Sequence, residues 1–426
     1  MKEKNNTINK WDNLKIKELA KKITAGGTPG TQNPEFWGGN ILWMNSGEIN
    51  LKKINFVKGR ITEKGLKNSS TKVIPSHSVL IALAGQGKTR GTVAVNKVEL
   101  CINQSLVAII PNQKILSDYL YYNLDSRYEE LRSYSTGNSG RGSLNLGIIK
   151  NIEVKFPRNI KEQKKTVEIL STWDQAIENL NELIDIKKKR RKALMQQFLT
   201  GKRRFKDFKT KDFQKEPIKG IGKIPRDWNV CSLSDYSEIL FSNVDKKSKS
   251  GEQDVFLCNY LDVYKNDIIT PELSFMKATA KDSLIRKFQI KNDDVIITKD
   301  SETPNDIAVP AYVKGQFDNV LCGYHLAIIR TKKKNLSGKF LHLLLQLKSY
   351  QHYFFTLSNG VTRFGLNVES VKKATVFMPS LKEQENISNF IFSLQKEIHF
   401  LMKKKTTFLI QKRGLMQKLL TGEIKL

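Results

Sequence analysis

The stretch GQGKT, residues 85–89, has the residue types of a phosphate-binding loop, in which glycine amides and a lysine surround phosphate oxygens. The full pattern needs glycine where Ala82 stands, and the loop must open a helix whose N-terminal amides face the anion. RGTVAVNKV follows instead and reads as a strand, so nucleotide binding is not expected. NDDVIITKD, residues 292–300, sets acids ahead of a lysine as nuclease cores do, a spacing that also arises by chance in a Lys-rich chain. The five histidines, His77, His325, His342, His352 and His399, have no metal-ligand spacing. The four cysteines, Cys101, Cys231, Cys258 and Cys322, include no CxxC pair, so neither zinc nor a redox couple is indicated.

NPEF, residues 33–36, is a partial copy of the Asn-Pro-Pro-aromatic signature with which adenine methyltransferases hold the amine of an extruded base. Glu35 replaces the second proline and no glycine-rich loop for a methyl donor accompanies it, so a turn is the better reading. The chain is therefore expected to lack a catalytic centre of its own.

Loops suited to reading DNA are easier to find. GQGKTRG brings Gln86, Lys88, Thr89 and Arg90 together. Gln pairs bidentately with adenine and Arg with guanine, while Lys meets phosphates. STGNSGRGSLN and LSNGVTRFGLN are matched polar loops, carrying Asn138 with Arg141 and Asn359 with Arg363. A flexible turn is the bland alternative, and their equivalent placement favours the functional one. KKKRRK, residues 187–192, reads equally as a solvated helix face or as a phosphate or partner contact.

These loops sit in a chain that is written twice. ALMQQFLTGKRRF at residue 193 returns as GLMQKLLTGEIKL at residue 414, an offset of about 220 residues. FPRNIKEQ faces MPSLKEQ, VAII faces LAII, and LSDYLYY faces LSGKFLH at a similar offset. Each half is a variable block followed by a long helix. In the first helix Val167, Leu170, Trp173, Ile177, Leu180, Ile184, Lys187, Arg191, Leu194 and Phe198 recur at alternating spacings of three and four. In the second, Ile391, Leu394, Ile398, Leu401, Lys405, Phe408, Lys412, Leu415 and Leu419 hold the equivalent positions. That is a heptad seam with polar interruptions. Helices of about 35–40 residues, roughly 50–60 Å long, are predicted, each ended by the glycine of a TG pair. Each helix supplies the other's apolar partner as an antiparallel pair. The basic seam residues either set register or face another protein or DNA.

The variable blocks read as mixed α/β, with strands such as SVLIALAG, LVAIIP, DVIITK and HLAIIR. The fold class is α+β: two mixed α/β blocks in tandem, separated by two long antiparallel helices. The expected boundaries are a first block at 1–157, a central helix at 158–201, an exposed linker at 202–228, a second block at 229–379 and a closing helix at 380–426.

Composition agrees with a DNA partner. Lys and Arg number 72 against 42 Asp and Glu, a net charge of +30 over 426 residues. A field that positive favours a polyanion as partner, with a Lys-, Asn- and Ile-rich composition as the bland alternative source of the charge. MKEKNNTINK has no apolar stretch after its charges, and no run approaches the length of a membrane span. A reducing cytoplasm is expected.

With FPRNIKEQKKTVEILSTWDQAIENL and LMQQFLTGK, and their second copies MPSLKEQENISNFIFSLQKEI and LMQKLLTGE, the chain resembles the specificity subunits of Type I restriction-modification enzymes. ITAGGTPGTQNPEFWGGNILWMNSGEI, GLKNSS and CINQSLVAIIP in the first block match the same family pattern. In the second block CGYHLAIIR stands where Asn103 and Gln104 stood, as expected of a different target-recognition subtype. The resemblance implies that each block is a target-recognition domain and that the two are related by a pseudo-two-fold axis. Each would read one half of an asymmetric bipartite site in double-stranded DNA. It also implies that the helices dock two modification subunits, which bind S-adenosylmethionine and methylate adenine, and that restriction subunits join them. No cofactor or metal is expected in this chain. The candidate DNA-contact set is Thr28, Gln86, Lys88, Thr89, Arg90, Asn103, Gln104, Asn138 and Arg141 in the first block. In the second it is Lys246, Lys247, Lys299, Tyr324, His325, Asn359 and Arg363. The candidate helix and partner interface is Leu170, Trp173, Ile177, Leu180, Leu194, Phe198, Ile391, Leu394, Ile398, Leu401, Leu415 and Leu419. The competing readings are a self-contained methyltransferase or nuclease, and a coiled-coil adaptor that does not read DNA.

Overall fold

A computed structural model describes residues 11–85, 87, 89–134, 144–209, 212–214 and 222–426. The chain divides into two compact units, Met1–Glu182 with Lys403–Leu426, and Leu183–Met402. Each unit takes its sheets from one sequence half and a segment from each of the two long helices, Ile160–Leu199 and Leu381–Thr421.

In the first unit, Val79–Ala82 is a continuous apolar run because it lies inside a five-stranded sheet covered on both faces. The strand order is Ala20–Ala25, Leu106–Pro111, Val79–Ala82, Val93–Asn96, Lys53–Ile54. Alternation sends Val79, Ile81, Val93, Val95, Val107 and Ile109 to the helix-covered core. Leu80, Ala82, Ala94, Leu106 and Ala108 go to the opposite core, beneath a four-stranded sheet that contains Trp37–Met44. The second unit repeats this plan. Its five-stranded sheet has the order Ser237–Phe241, Leu326–Thr331, Val295–Thr298, Pro310–Val313, Ile268–Ile269. Val295, Ile297, Ala327 and Ile329 face one core, and Ile296, Ala311, Val313, Leu326 and Ile328 the other.

The repeated sequence phrases mark repeated bonds. Gln163 is fully buried and uses its whole amide: Oε1 accepts from Leu116 N at 2.8 Å, and Nε2 donates to Lys114 O and Pro157 O. Gln384 makes the same three bonds, accepting from Ser337 N at 3.0 Å and donating to Asn335 O and Pro379 O. Asn145 and Asn367, the shared asparagines of SLN and GLN, each cap a short helix by accepting an amide three residues ahead. Gly201 and Gly422 end the long helices at φ values of 70° and 81°, conformations glycine adopts without a Cβ penalty.

Within each unit the helix segments run antiparallel. In the first, Leu170 shares a core with Met416 and Leu419, and Trp173 meets Phe408 edge-on at 5.4 Å. Ile177, Leu180 and Leu415 are buried or half-buried in that unit. In the second, Lys187 pairs with Glu397 at 2.6 Å, and Phe198 packs on Phe390, with Leu194, Ile391 and Leu394 in the same core. Ile398 is buried and Leu401 half-buried. The basic seam residues are absorbed differently in the two units. Lys412 joins Lys53 and the Tyr122 hydroxyl on the Asp174 carboxylate. Among the described residues, Arg191 Nη2 donates to the Gln346 side-chain oxygen at 3.3 Å and its Nε has no partner. Lys405 is half-buried. The KKKRRK run therefore splits, with Lys187 and Arg191 turned inward and Lys188, Lys189, Arg190 and Lys192 exposed.

One expectation is corrected. The stretch read as an exposed linker is packed over much of its described length. Phe205 stacks on Phe198, Ile224 and Trp228 are core residues, and the Arg204 side chain is 4% exposed, bonded to Glu383 and Asp227. Its Lys-, Gly- and Pro-rich composition hides two aromatics and an arginine that pack in the second unit.

Candidate nucleic-acid interface

The same backbone scaffold builds a loop cluster at one end of the sheet in each unit. In the first, Leu83 N donates to Ser105 O and Leu144 N to Leu83 O. In the second, Lys299 N donates to His325 O and Leu366 N to Lys299 O. Leu83 thus corresponds to Lys299, Ser105 to His325, and Leu144 to Leu366. The loops that leave these points hold most of the candidate contacts.

The second unit brings Lys246, Lys299, Tyr324, His325 and Arg363 together. Lys299 follows the buried strand Val295–Thr298, and its Nζ donates to Ser242 O at 2.8 Å while lying 4.4 Å from the Tyr324 ring centroid. Burial lowers its pKa and the nearby Asp300 opposes the shift, so the ammonium keeps a compensating neighbour. His325 Nδ1 is 2.6 Å from Asp300 Oδ1. Arg363 Nη2 is 3.2 Å from the same oxygen and 3.0 and 3.3 Å from the two ring nitrogens of His325. Lys246, Asp300, His325 and Arg363 border a cleft of about 790 Å³ whose far wall holds the stacked rings of Tyr260 and Tyr264. Tyr260 shares a hydrogen bond with Ser301, and Tyr264 donates to Asp306. Basic, aromatic and hydrogen-bonding groups on one open cleft form a surface suited to nucleic acid.

Two second-block candidates fall outside this arrangement. Asn359 closes a hairpin by exchanging backbone bonds with Gly365, and its side chain donates to Leu357 O. Lys247 is exposed and does not border the cleft.

The first unit places its candidates on neighbouring turns. Thr28 donates its hydroxyl to the Gln104 side chain, and Gln104 is exposed. Asn103 is occupied locally, its Oδ1 accepting from Ser105 N. Thr89 and Arg90 are half-buried in the loop that starts just after Leu83. Gln86, Lys88, Asn138 and Arg141 lie outside the described residues.

The sequence does not mark Asp300, Tyr260 or Tyr264, which also line this cleft. Asp300 was visible only as the last acid of NDDVIITKD. The earlier acid Asp294 is structural: it is buried and holds Arg330 through bonds of 2.9 and 2.7 Å.

Comparison with known families places the chain as a whole. The model for the Type I restriction modification DNA specificity domain matches residues 8–188 and again 225–407. The chain belongs to that family. It carries two such specificity domains in tandem, as the internal repeat requires. Across nearly its full length it is 26% identical to the MjaIX Type I restriction enzyme specificity subunit of Methanocaldococcus jannaschii, covering 97% of this chain and 94% of the relative. Two solved structures share the fold. One, from work on complex assembly and conformational transition of the type I R-M system, superposes with a TM-score of 0.58 at 14% identity, covering 98% of this chain and 99% of the other. The other is the S subunit of the Type I restriction-modification system of M. genitalium, with a TM-score of 0.54 at 16% identity and 98% of both chains covered. No helix among the described residues is long and apolar enough to cross a membrane.

Proposed function

We propose that the chain is the DNA-reading subunit of a Type I restriction-modification complex and carries no catalytic centre itself. Each specificity domain reads one half of a bipartite site in double-stranded DNA. Modification subunits that bind S-adenosylmethionine methylate adenine at that site, and restriction subunits join the assembly. The carrying observation is the pair of loop clusters built on identical backbone bonds but filled with different side chains, Leu83 and Ser105 against Lys299 and His325. One scaffold with two contents suits two unlike half-sites, so the site is asymmetric. The net charge of +30 supports a polyanionic ligand.

Docking of modification subunits is supported by apolar side chains left outside the helix seams. Ile186 and Phe400 are exposed in the second unit, and Leu409 and Ile410 in the first. Exposed aliphatic and aromatic groups on a long helix mark a protein contact more readily than a solvated face.

Long-read mapping of methylated adenines, in cells with and without the gene, tests this reading. A gapped, asymmetric motif that disappears with the gene is the expected result. Methylation that is unchanged on deletion contradicts it.

A further inference from the structure

The second unit sets an acid in the middle of its basic cleft. A carboxylate there repels phosphates, so general attraction of DNA is not what Asp300 contributes. Its side chain is 18% exposed, against 58% for Arg363, so the acid lies behind the guanidinium. An ion pair with so exposed a partner adds little to stability. What the carboxylate does is fix the arginine.

Both partners are anchored by backbone pairing. Asp300 and Ser301 pair with Gly365 and Phe364 in a short antiparallel ladder. Leu366 N donates to Lys299 O one step further on. The loop that carries Arg363 is closed by the two-way exchange between Asn359 and Gly365. Gly360 sits at φ 142°, where an added Cβ would lie 1.8 Å from Arg363 O, so the loop cannot relax around a larger residue. His325, itself held by Asp300, lies across the inner side of the guanidinium, nearly equidistant from Nη2 through both ring nitrogens.

We infer that Asp300, seconded by His325, is a positioning residue that holds the Arg363 fork for a guanine in the half-site read by the second domain. An arginine beside a carboxylate has part of its charge compensated, which weakens it as a phosphate clamp. Only Nη2 is engaged by Asp300 and His325, and the donors of the planar group that remain match the O6 and N7 acceptors of guanine in the major groove. Fixing a long side chain beforehand removes the ordering cost at the moment of binding. The inference rests on the reading of this domain as a DNA contact.

The test uses the purified complex of the chain with its modification subunits. The probes are a duplex carrying the mapped methylation site and a scrambled duplex. Guanines of each half-site are replaced one at a time by 7-deazaguanine, which lacks the N7 acceptor. One position in the half-site read by the second domain is expected to weaken wild-type binding, by less than the about 5- to 150-fold that a whole arginine–guanine pair contributes. Arg363→Ala loses comparable affinity and becomes indifferent to that replacement, and Arg363→Lys does not restore the response. Asp300→Asn lowers affinity for the site while leaving or raising affinity for the scrambled duplex, because a charge that repels phosphates is gone. Parallel gains on both duplexes for Asp300→Asn overturn the positioning role. Absence of a sensitive guanine from both half-sites, or sensitivity at every such guanine that persists in Arg363→Ala, overturns the assignment of Arg363. No preference of the wild-type complex for its site overturns the DNA reading itself.

Discussion

The first and second units share their skeleton and differ in what is mounted on it. The shared parts are bonds with no room for variation: the buried glutamine amides of Gln163 and Gln384, the asparagine caps, the glycine helix ends and the paired backbone bonds at Leu83 and Lys299. The differing parts are the loop cluster and the polar point of the helix seam. In the first unit the seam lysine Lys412 meets a carboxylate, Asp174, whose pKa burial would raise but the bonds to Lys412 and Tyr122 lower on balance. In the second, Arg191 donates to the Gln346 side-chain oxygen near the buried His342, and among the described residues no carboxylate is bonded to it. The lesson is that the repeat preserves the bonds that set the position of a loop and releases the side chains that occupy it.

The sharpest way to break this comparison is at the glutamines. Gln163→Leu and Gln384→Leu each leave one amide and two carbonyls unpaired in the interior, an expected loss of about 3–5 kcal/mol. Denaturant unfolding should find the two losses alike. A large loss in one half and a negligible loss in the other would mean that the skeleton is not shared energetically.

The seam is where the halves should diverge. Asp174→Leu strands Lys412 and Lys53 without their carboxylate and is expected to cost about 2–3 kcal/mol. Arg191→Met removes an under-bonded, half-buried cation and is expected to be neutral or stabilising by about 1 kcal/mol. Thermal unfolding of the two variants checks the contrast, and equal destabilisation would erase it.

The acid limb sharpens the same contrast. Burial pushes the His342 imidazole down to about 3, with the charge of Arg191 adding to the shift. A depressed folded pKa means the unfolded chain binds the proton first. The stability held above the ordinary histidine range near pH 6.5 is therefore lost as pH falls toward 3, at up to about 1.4 kcal/mol per pH unit. His342→Leu should flatten that dependence between pH 6.5 and 4, read by unfolding at several pH values. An unchanged slope would show that His342 is not what acid titrates.

Smaller effects concern DNA. Arg363→Ala is expected to weaken site binding by about 1–3 kcal/mol, and Lys247→Ala, outside the cleft, to reduce the salt slope by about 1 with no change in preferred sequence. Fluorescence anisotropy across a salt series separates the two. A change of preferred sequence in Lys247→Ala would extend the reading surface beyond the cleft.

Much of this was legible in the sequence, for a physical reason. A seam that repeats every three or four residues and an EQ pair written twice are local patterns, and they led to the helices and the shared glutamines. The boundaries of the compact units were not legible, because each unit combines one half's sheets with a segment of the other half's helix. The place of Asp300 was not legible, because it comes from a strand pairing of Asp300 and Ser301 with Gly365 and Phe364, far along the chain. The burial of Arg204 and Trp228 was masked by the lysines and glycines around them, and Asp174 carried no sign that Lys412 would seek it.

The central claim is that each half reads its own half-site from one scaffold. Its most direct test is adenine-methylation mapping by long-read sequencing in cells carrying the chain with Lys299→Ala, His325→Ala and Arg363→Ala together. Degeneracy in one half of the motif, with the other half fixed, is the predicted result. Relaxation of both halves together, or of neither, would contradict it.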